Sequence, residues 1–309
     1  MRLTTSLLAV FLAALAMAGC GGDTAASDDL TVVATTTILG DLAANVAGDD
    51  AEVVVLMPVG ADPHDFQASA AQVAAINGAD LVVANGLGLE EGLEDVLDAA
   101  ASDGVRILEI GTLVDPLPFD ADEHEDEGDH EHGSEDPHIW FDLTRMATAS
   151  TLLADELTQI APDLDWESRA EAYSGDLLVA DEAIATLLSA VADTDRRLVT
   201  SHGSLGYFAA RYDFEVIGTV FPAGSTLADP SSEQLANLVE VMRTENVTVI
   251  FGETTQPETL AAAVAGELGS DAQVVSLYTG SLGAPGSGAD SLIGMAQLNA
   301  GLIADALSG

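Results

Sequence analysis

Six histidines mark the places where this chain can do chemistry. Three stand singly: His64 in Gly60-Ala61-Asp62-Pro63-His64, His138 in Asp136-Pro137-His138-Ile139-Trp140, and His202 in Thr200-Ser201-His202-Gly203. The others, His124, His130 and His132, lie together in an acidic run over residues 120–136. Neutral imidazole is the commonest protein ligand for a transition metal. Three imidazoles from distant parts of a chain can make one zinc-type site. Taken singly, each lone histidine also fits a plainer reading, a partly buried side chain with a satisfied hydrogen bond. The repeated Asp-Pro-His unit favours the shared site. Proline fixes its own φ and holds the preceding residue extended, so both turns can present a histidine at a strand end in a similar way.

The elements around these residues alternate between strand and helix. Strands are expected over 30–36, 51–57, 81–84 and 105–110, all rich in β-branched residues. Helical spacing over 38–47, 69–77 and 93–101 falls between them. The second half repeats the theme, with strands over 197–200, 215–220, 247–251 (leading to Glu253) and 273–277. Helices are expected there over 206–212, 232–245, 257–268 and 291–307. A βαβα pattern with short connections argues for parallel sheets flanked by helices. Ligands bind such sheets at the carboxyl ends of the strands. Between the halves, residues 143–192 are nearly all helix formers, broken near Ala161-Pro162-Asp163. A continuous helix over 166–192 would run roughly 40 Å and could link two lobes rigidly; Gly175 offers the alternative of two shorter helices.

Residues 1–19 read as a secretion signal, with Arg2 before a short apolar run. That run is too short to span a bilayer. Cys20 is the only cysteine, so no internal disulfide can form. Its place after Ala18-Gly19 resembles a bacterial lipobox, which implies cleavage before Cys20 and a lipid anchor on its sulfur. The other reading is an ordinary cleaved signal with an incidental cysteine. Residues 20–29 are small and polar and read as a tether.

Net charge is −44, with eight arginines and no lysine. That excludes nucleic acid as a partner, since its binding needs a basic footprint. Anionic lipid surfaces are disfavoured for the same reason, which leaves the lipid as the membrane link. A diffuse acidic surface concentrates cations, although most of these carboxylates are explained by solubility or a salty habitat.

Four motifs taken together carry a family resemblance. Asp-Pro-His-Asp-Phe (62–66), Asp-Pro-His-Ile-Trp-Phe-Asp (136–142), Thr-Ser-His-Gly-Ser-Leu-Gly-Tyr-Phe (200–208) and Glu-Thr-Thr (253–255) resemble the metal-binding solute-binding lipoproteins of zinc and manganese ABC importers. The resemblance runs from about residue 30 to the C-terminus. It implies an α/β fold of two lobes, each a parallel sheet flanked by helices, joined by one long rigid helix, with the metal in the cleft between them. The expected division is an N-terminal lobe over 30–165, a linking helix over 166–192 and a C-terminal lobe over 193–309. By motif, His64 and His138 would be ligands from the first lobe and His202 from the second. Members of the family usually carry an aspartate where this chain has Gly280. Glu253 is the first candidate to replace it and Asp290 the weaker one; for Glu253 a structural carboxylate is the other reading.

Three imidazoles with a carboxylate or water suit zinc, whereas manganese sites hold more oxygen. The run over 120–136 resembles the His-rich loop of zinc-specific members, in which His124, His130 and His132 would gather ions weakly. As a plain sequence it is a solvated charge run. The resemblance therefore implies a monomeric, extracytoplasmic, lipid-anchored protein that captures zinc, with manganese as the alternative, for an ABC permease and ATPase. It implies no catalysis. Two alternatives stay open at this point. One is a surface adhesin on the same fold. The other is a zinc hydrolase using an open coordination position, although no general base or Gly-x-Ser-x-Gly turn accompanies it.

Overall fold

The computed structural model describes residues 30–119, 135–221, 226–227 and 229–308. Two four-stranded parallel sheets dominate it. The first is built from β1 (Leu30–Ala34), β2 (Ala51–Val55), β3 (Leu81–Ala84) and β4 (Ile107–Glu109) in the spatial order β2-β1-β3-β4. The second uses β5 (Arg197–Thr200), β6 (Glu215–Thr219), β7 (Val249–Glu253) and β8 (Gln273–Leu277) in the order β6-β5-β7-β8. The two orders are the same. In both sheets the direction of winding reverses between the two central strands, the place where open α/β sheets bind ligands.

Buried parallel strands read as continuous apolar runs because helices cover both faces. Leu81-Val82-Val83-Ala84 of β3 is wholly buried, as is β7. Helices α1 (Thr37–Ala47), α2 (Ala70–Asn77) and α3 (Glu94–Ser102) flank the first sheet. Helices α6 (Gly206–Tyr212), α7 (Ser232–Glu245) and α8 (Thr259–Leu268) accompany the second. Their starts carry the expected caps. Thr36 accepts from the Leu39 amide at α1, and Ser69/Gln72 and Ser231/Gln234 form reciprocal capping boxes at α2 and α7.

Three helices bind the halves together. After α4 (Leu143–Ile160) the chain reverses at Ala161-Pro162 and returns as α5 (Trp166–Leu188). The closing helix α9 (Leu292–Leu307) packs on α5, α1 and β8. One apolar core runs through both sheets: Val32 and Leu81 from the first belong to the same cluster as Leu198 and Phe251 from the second, with Trp166 and Leu177 of α5 between. Smaller cores lie under α2 and α3, and under α7 and α8.

The structure differs from the sequence expectation at two useful points. The long helix ends at Leu188, four residues before Ala192, and it is unbroken at Gly175. It is also packed along α4, α1 and α9, so it is an integral wall of the core. Strand β7 is shifted two residues along the chain. Glu253 is therefore inside the strand, paired with Leu277 of β8, and its backbone is fixed by the sheet. Among the described residues, no helix is long and apolar enough to cross a membrane.

Candidate metal centre

His64 lies beyond β2, in the loop to α2. Its amide donates to Asp62 Oδ1 at 3.0 Å. The amide of His138 donates in the same way to Asp136 Oδ1 at 2.9 Å. The two Asp-Pro-His units thus fold alike, each aspartate bonding the backbone two residues on. Their continuations differ. His64 stays in an open loop, whereas His138 leads into a buried 3-10 turn, Ile139–Phe141, and then α4, whose N-cap is Asp142. His202 lies just beyond β5, and its carbonyl accepts from the Thr200 hydroxyl at 2.6 Å.

These three turns bring the three imidazoles to one point. His138 Nε2 lies 3.4 Å from His64 Nε2 and 3.0 Å from His202 Nε2. All three side chains are buried. One nitrogen from each lies within 4.8 Å of the other two, and among the described residues this group could hold a metal ion. Two nitrogens on one tetrahedral zinc at 2.0–2.1 Å would sit about 3.3–3.4 Å apart, close to the spacing seen here.

The remote nitrogens are held by acids. His138 Nδ1 is 2.7 Å from Asp136 Oδ1, and His202 Nδ1 is 2.5 Å from Glu253 Oε1. A carboxylate that accepts from Nδ1–H of a neutral ring leaves the Nε2 lone pair facing the centre; burial raises Asp136 itself to about 7, so it is fully ionised only above that. Glu253 is thus placed behind His202, outside the group of three. Its second oxygen accepts from the Thr279 hydroxyl at 2.7 Å. With both oxygens engaged away from the centre, it does not stand as the fourth ligand in this geometry. Asp290 is elsewhere, accepting from the Gly286 amide at 2.7 Å. His124, His130, His132 and Cys20 lie outside the described residues.

Gly280 has a steric role. A Cβ at this position would come 2.7 Å from Pro63 Cδ. The glycine lets the β8 loop close against the Asp62-Pro63-His64 turn. Asp62 also reaches the second half of the molecule, accepting from Thr226 Oγ1 at 2.5 Å and from Gln256 Nε2. Trp140 Nε1 donates to the Thr279 carbonyl at 2.8 Å, and the Tyr207 hydroxyl donates to the Asp136 carbonyl at 2.7 Å. The site is therefore laced across the two sheets. Sequence reasoning alone does not single out Asp136, Thr279 or Tyr207 for these roles. The Asp-x-His spacing is the available signal for Asp136; nothing local marks Thr279.

Electrostatics prepare the site for a cation. Burial, reinforced by His138 and His202, lowers His64 to about 3. Burial and His202 also hold His138 well below the ordinary imidazole range. Both rings are neutral at pH 7. For His202 burial pulls downward, but the charge and hydrogen bond of Glu253 outweigh it and raise the imidazole. For Glu253 burial pulls upward, and the charge and bond of His202 outweigh it, lowering the carboxyl to about 2. His202 is thus the one imidazole of the three whose proton is held more firmly than usual, and its Nε2 lies 3.0 Å from that of His138.

Residues 32–306 match the family model described as zinc-uptake complex component A, periplasmic. The chain belongs to that family. It is 29% identical over 305 residues, 97% of both chains, to the manganese-binding lipoprotein MntA of Halalkalibacterium halodurans. It is 31% identical over 278 residues to the zinc-binding lipoprotein AdcA of Streptococcus pneumoniae, spanning 87% of this chain and 54% of that one. The fold is similar to the periplasmic zinc-binding protein TroA from Treponema pallidum, with a TM-score of 0.78 and 26% identity over 90% of this chain and 99% of that one. The protein is thus a metal-binding, substrate-binding component of an ABC importer, working outside the cytoplasm with a permease and ATPase as its partners, and is not an enzyme. The family assignment disposes of the hydrolase alternative and does not favour the adhesin.

Proposed function

We propose that the protein captures one zinc ion with His64, His138 and His202 and delivers it to the permease of its importer. The observation that carries this reading is the meeting of three buried imidazoles at 3.0 and 3.4 Å, drawn from three separate turns. The metal choice rests on the donors. The group is all nitrogen, with no carboxylate oxygen among the described residues of the cluster. Nitrogen donors suit zinc, while manganese is drawn to oxygen-rich sets. Manganese is the second reading, favoured by the name of the full-length relative from H. halodurans.

The deciding experiment is metal analysis of protein purified without added ions, followed by competition between zinc and manganese. Zinc should bind at one tight site and displace manganese. His64→Ala, His138→Ala and His202→Ala should each weaken zinc binding by more than the roughly 10–100-fold typical of residues behind a metal ligand. A tight site that survives all three substitutions would overturn the reading.

The lipobox at Cys20 and the lipoprotein relatives support a lipid anchor on that sulfur. Cys20→Ser should abolish lipid labelling and release the protein. The acidic run over 120–136, with His124, His130 and His132, would hold further ions weakly and feed the cleft. The protein would act as a monomer, one site per chain.

A further inference from the structure

Two of the three histidines are backed by a carboxylate at Nδ1, and the third is not. His64 Nδ1 is buried and has no hydrogen-bond partner. The carboxylate facing it is Glu91, with Oε1 4.0 Å away. We propose that Glu91 is a positioning residue that hydrogen-bonds His64 Nδ1 when metal binds, and so completes a set of one carboxylate behind each imidazole.

The surroundings hold Glu91 in place for this role. It opens the 3-10 turn Glu91–Leu93 beyond the β3 loop. That loop is pinned by its neighbour Glu90, which accepts from Thr35 Oγ1 at 2.6 Å, the Asn85 amide at 2.7 Å and the Gly86 amide at 3.1 Å. On its other side Gly92 lies directly against the loop carrying His64: a Cβ there would come 2.3 Å from the Phe66 carbonyl oxygen. The backbone of Glu91 is thus fixed beside His64, and a side-chain rotation of about 1 Å closes the gap to a hydrogen bond. The ion itself supplies the driving force. A metal on Nε2 draws electron density from the ring and makes Nδ1–H a stronger donor, which favours a carboxylate acceptor.

Exposure separates Glu91 from its two counterparts. Its side chain is 28% exposed, against 4% for Asp136 and 2% for Glu253. His138 and His202 are therefore held by buried acids, and His64 by one in reach of solvent. Loosening of Glu91 would make His64 the ligand that lets go first during delivery.

The inference rests on the proposed triad, and the test separates the two. Zinc affinity is measured by chelator competition, and zinc release by stopped flow, for wild type, Glu91→Ala, Glu91→Gln and His64→Ala. The nitrogen-15 signals of His64 in the zinc-loaded protein are recorded alongside. Glu91→Ala should lose about 10-fold or more in affinity, within the range typical of residues behind a metal ligand. Most of the loss should appear as faster release, and the His64 Nδ1–H signal should broaden by exchange with water. Glu91→Gln keeps an acceptor of the same shape, so it should restore the sharp signal and recover part of the affinity. Glu91→Ala with wild-type affinity and an unchanged His64 signal would overturn the role of Glu91 alone. Wild-type affinity in His64→Ala would overturn the triad itself.

Discussion

At the scale of single residues, Glu253 meets the far side of the His202 ring and the Thr279 hydroxyl. The sequence puts a carboxylate at a strand end near the second-lobe histidine. Whether that carboxylate points at the ion or at the far side of the ring depends on one side-chain torsion and on Thr279, 26 positions away along the chain. Glu253 is 4% exposed and bonded to both His202 and Thr279. Glu253→Gln should lower zinc affinity about 10–100-fold. It should also destabilise the metal-free protein, because a buried charged partner of His202 is lost, by about 1–3 kcal/mol. The sign with pH comes from the lowered carboxyl. Its contribution is present above the ordinary value of 4.5 and is lost as pH falls toward about 2. Thermal melts of the two proteins should therefore differ at pH 7 and converge below pH 4.5. Equal melts at pH 7 would place the residue outside the fold's energetics.

The raised imidazole of His202 gives a second residue-scale expectation. Its proton is held at and just above the ordinary value of 6.5, and is lost as pH rises through the elevated folded value. His64 and His138 are already neutral. Zinc must displace the His202 proton to reach Nε2. Binding near pH 7 should release about one proton per ion, and affinity should rise with pH until His202 is neutral. Calorimetry in buffers of different ionisation enthalpy measures this directly. Asp136, raised to about 7 by burial, can add part of a second proton; release of three would mean that the other two rings are charged in the free protein.

At the scale of elements, legibility tracks burial. The four residues of β3 and the helices beginning at Ser69, Ser231 and Ser291 are readable because apolar runs and capping residues are local signals. The sheet orders are not readable, since they depend on which strands pair across long stretches of chain. The long helix is the instructive case. Gly175 is a weak helix former and leaves a break open in the sequence, yet α5 is continuous because tertiary packing outweighs one residue's propensity. A Cβ at Gly175 would meet nothing within 4 Å. Gly175→Ala should therefore stabilise the protein by about 0.5–1 kcal/mol, seen as a small rise in Tm with zinc affinity unchanged. A fall in Tm would mean that the helix needs the glycine to bend.

At the scale of the whole molecule, the site is divided between two similar sheets while the core is shared. The cluster through Leu81, Leu177 and Phe251 ties the two sheets that carry His64, His138 and His202 into one body. The acidic run lies outside the described residues, but its flanks do not. Its flanks meet at an isolated antiparallel bridge between Pro118 and Glu135, and the Asp136 amide donates to the Leu117 carbonyl at 2.7 Å. Tyr207 clamps the same place, its hydroxyl accepting from the Leu117 amide at 2.9 Å and donating to the Asp136 carbonyl. The position of Asp136, and through it His138, is thus fixed from the flanks inward. Removing residues 122–134 leaves three residues, 119–121, to join Pro118 to Glu135. The shortened protein should keep one tight zinc site with wild-type affinity, lose the weakly held ions and capture zinc more slowly at low concentration. Equilibrium dialysis counts the ions, and stopped-flow binding gives the rate. Loss of the tight site on deletion, in a protein that still folds, would place part of the acidic run in the coordination of the ion itself.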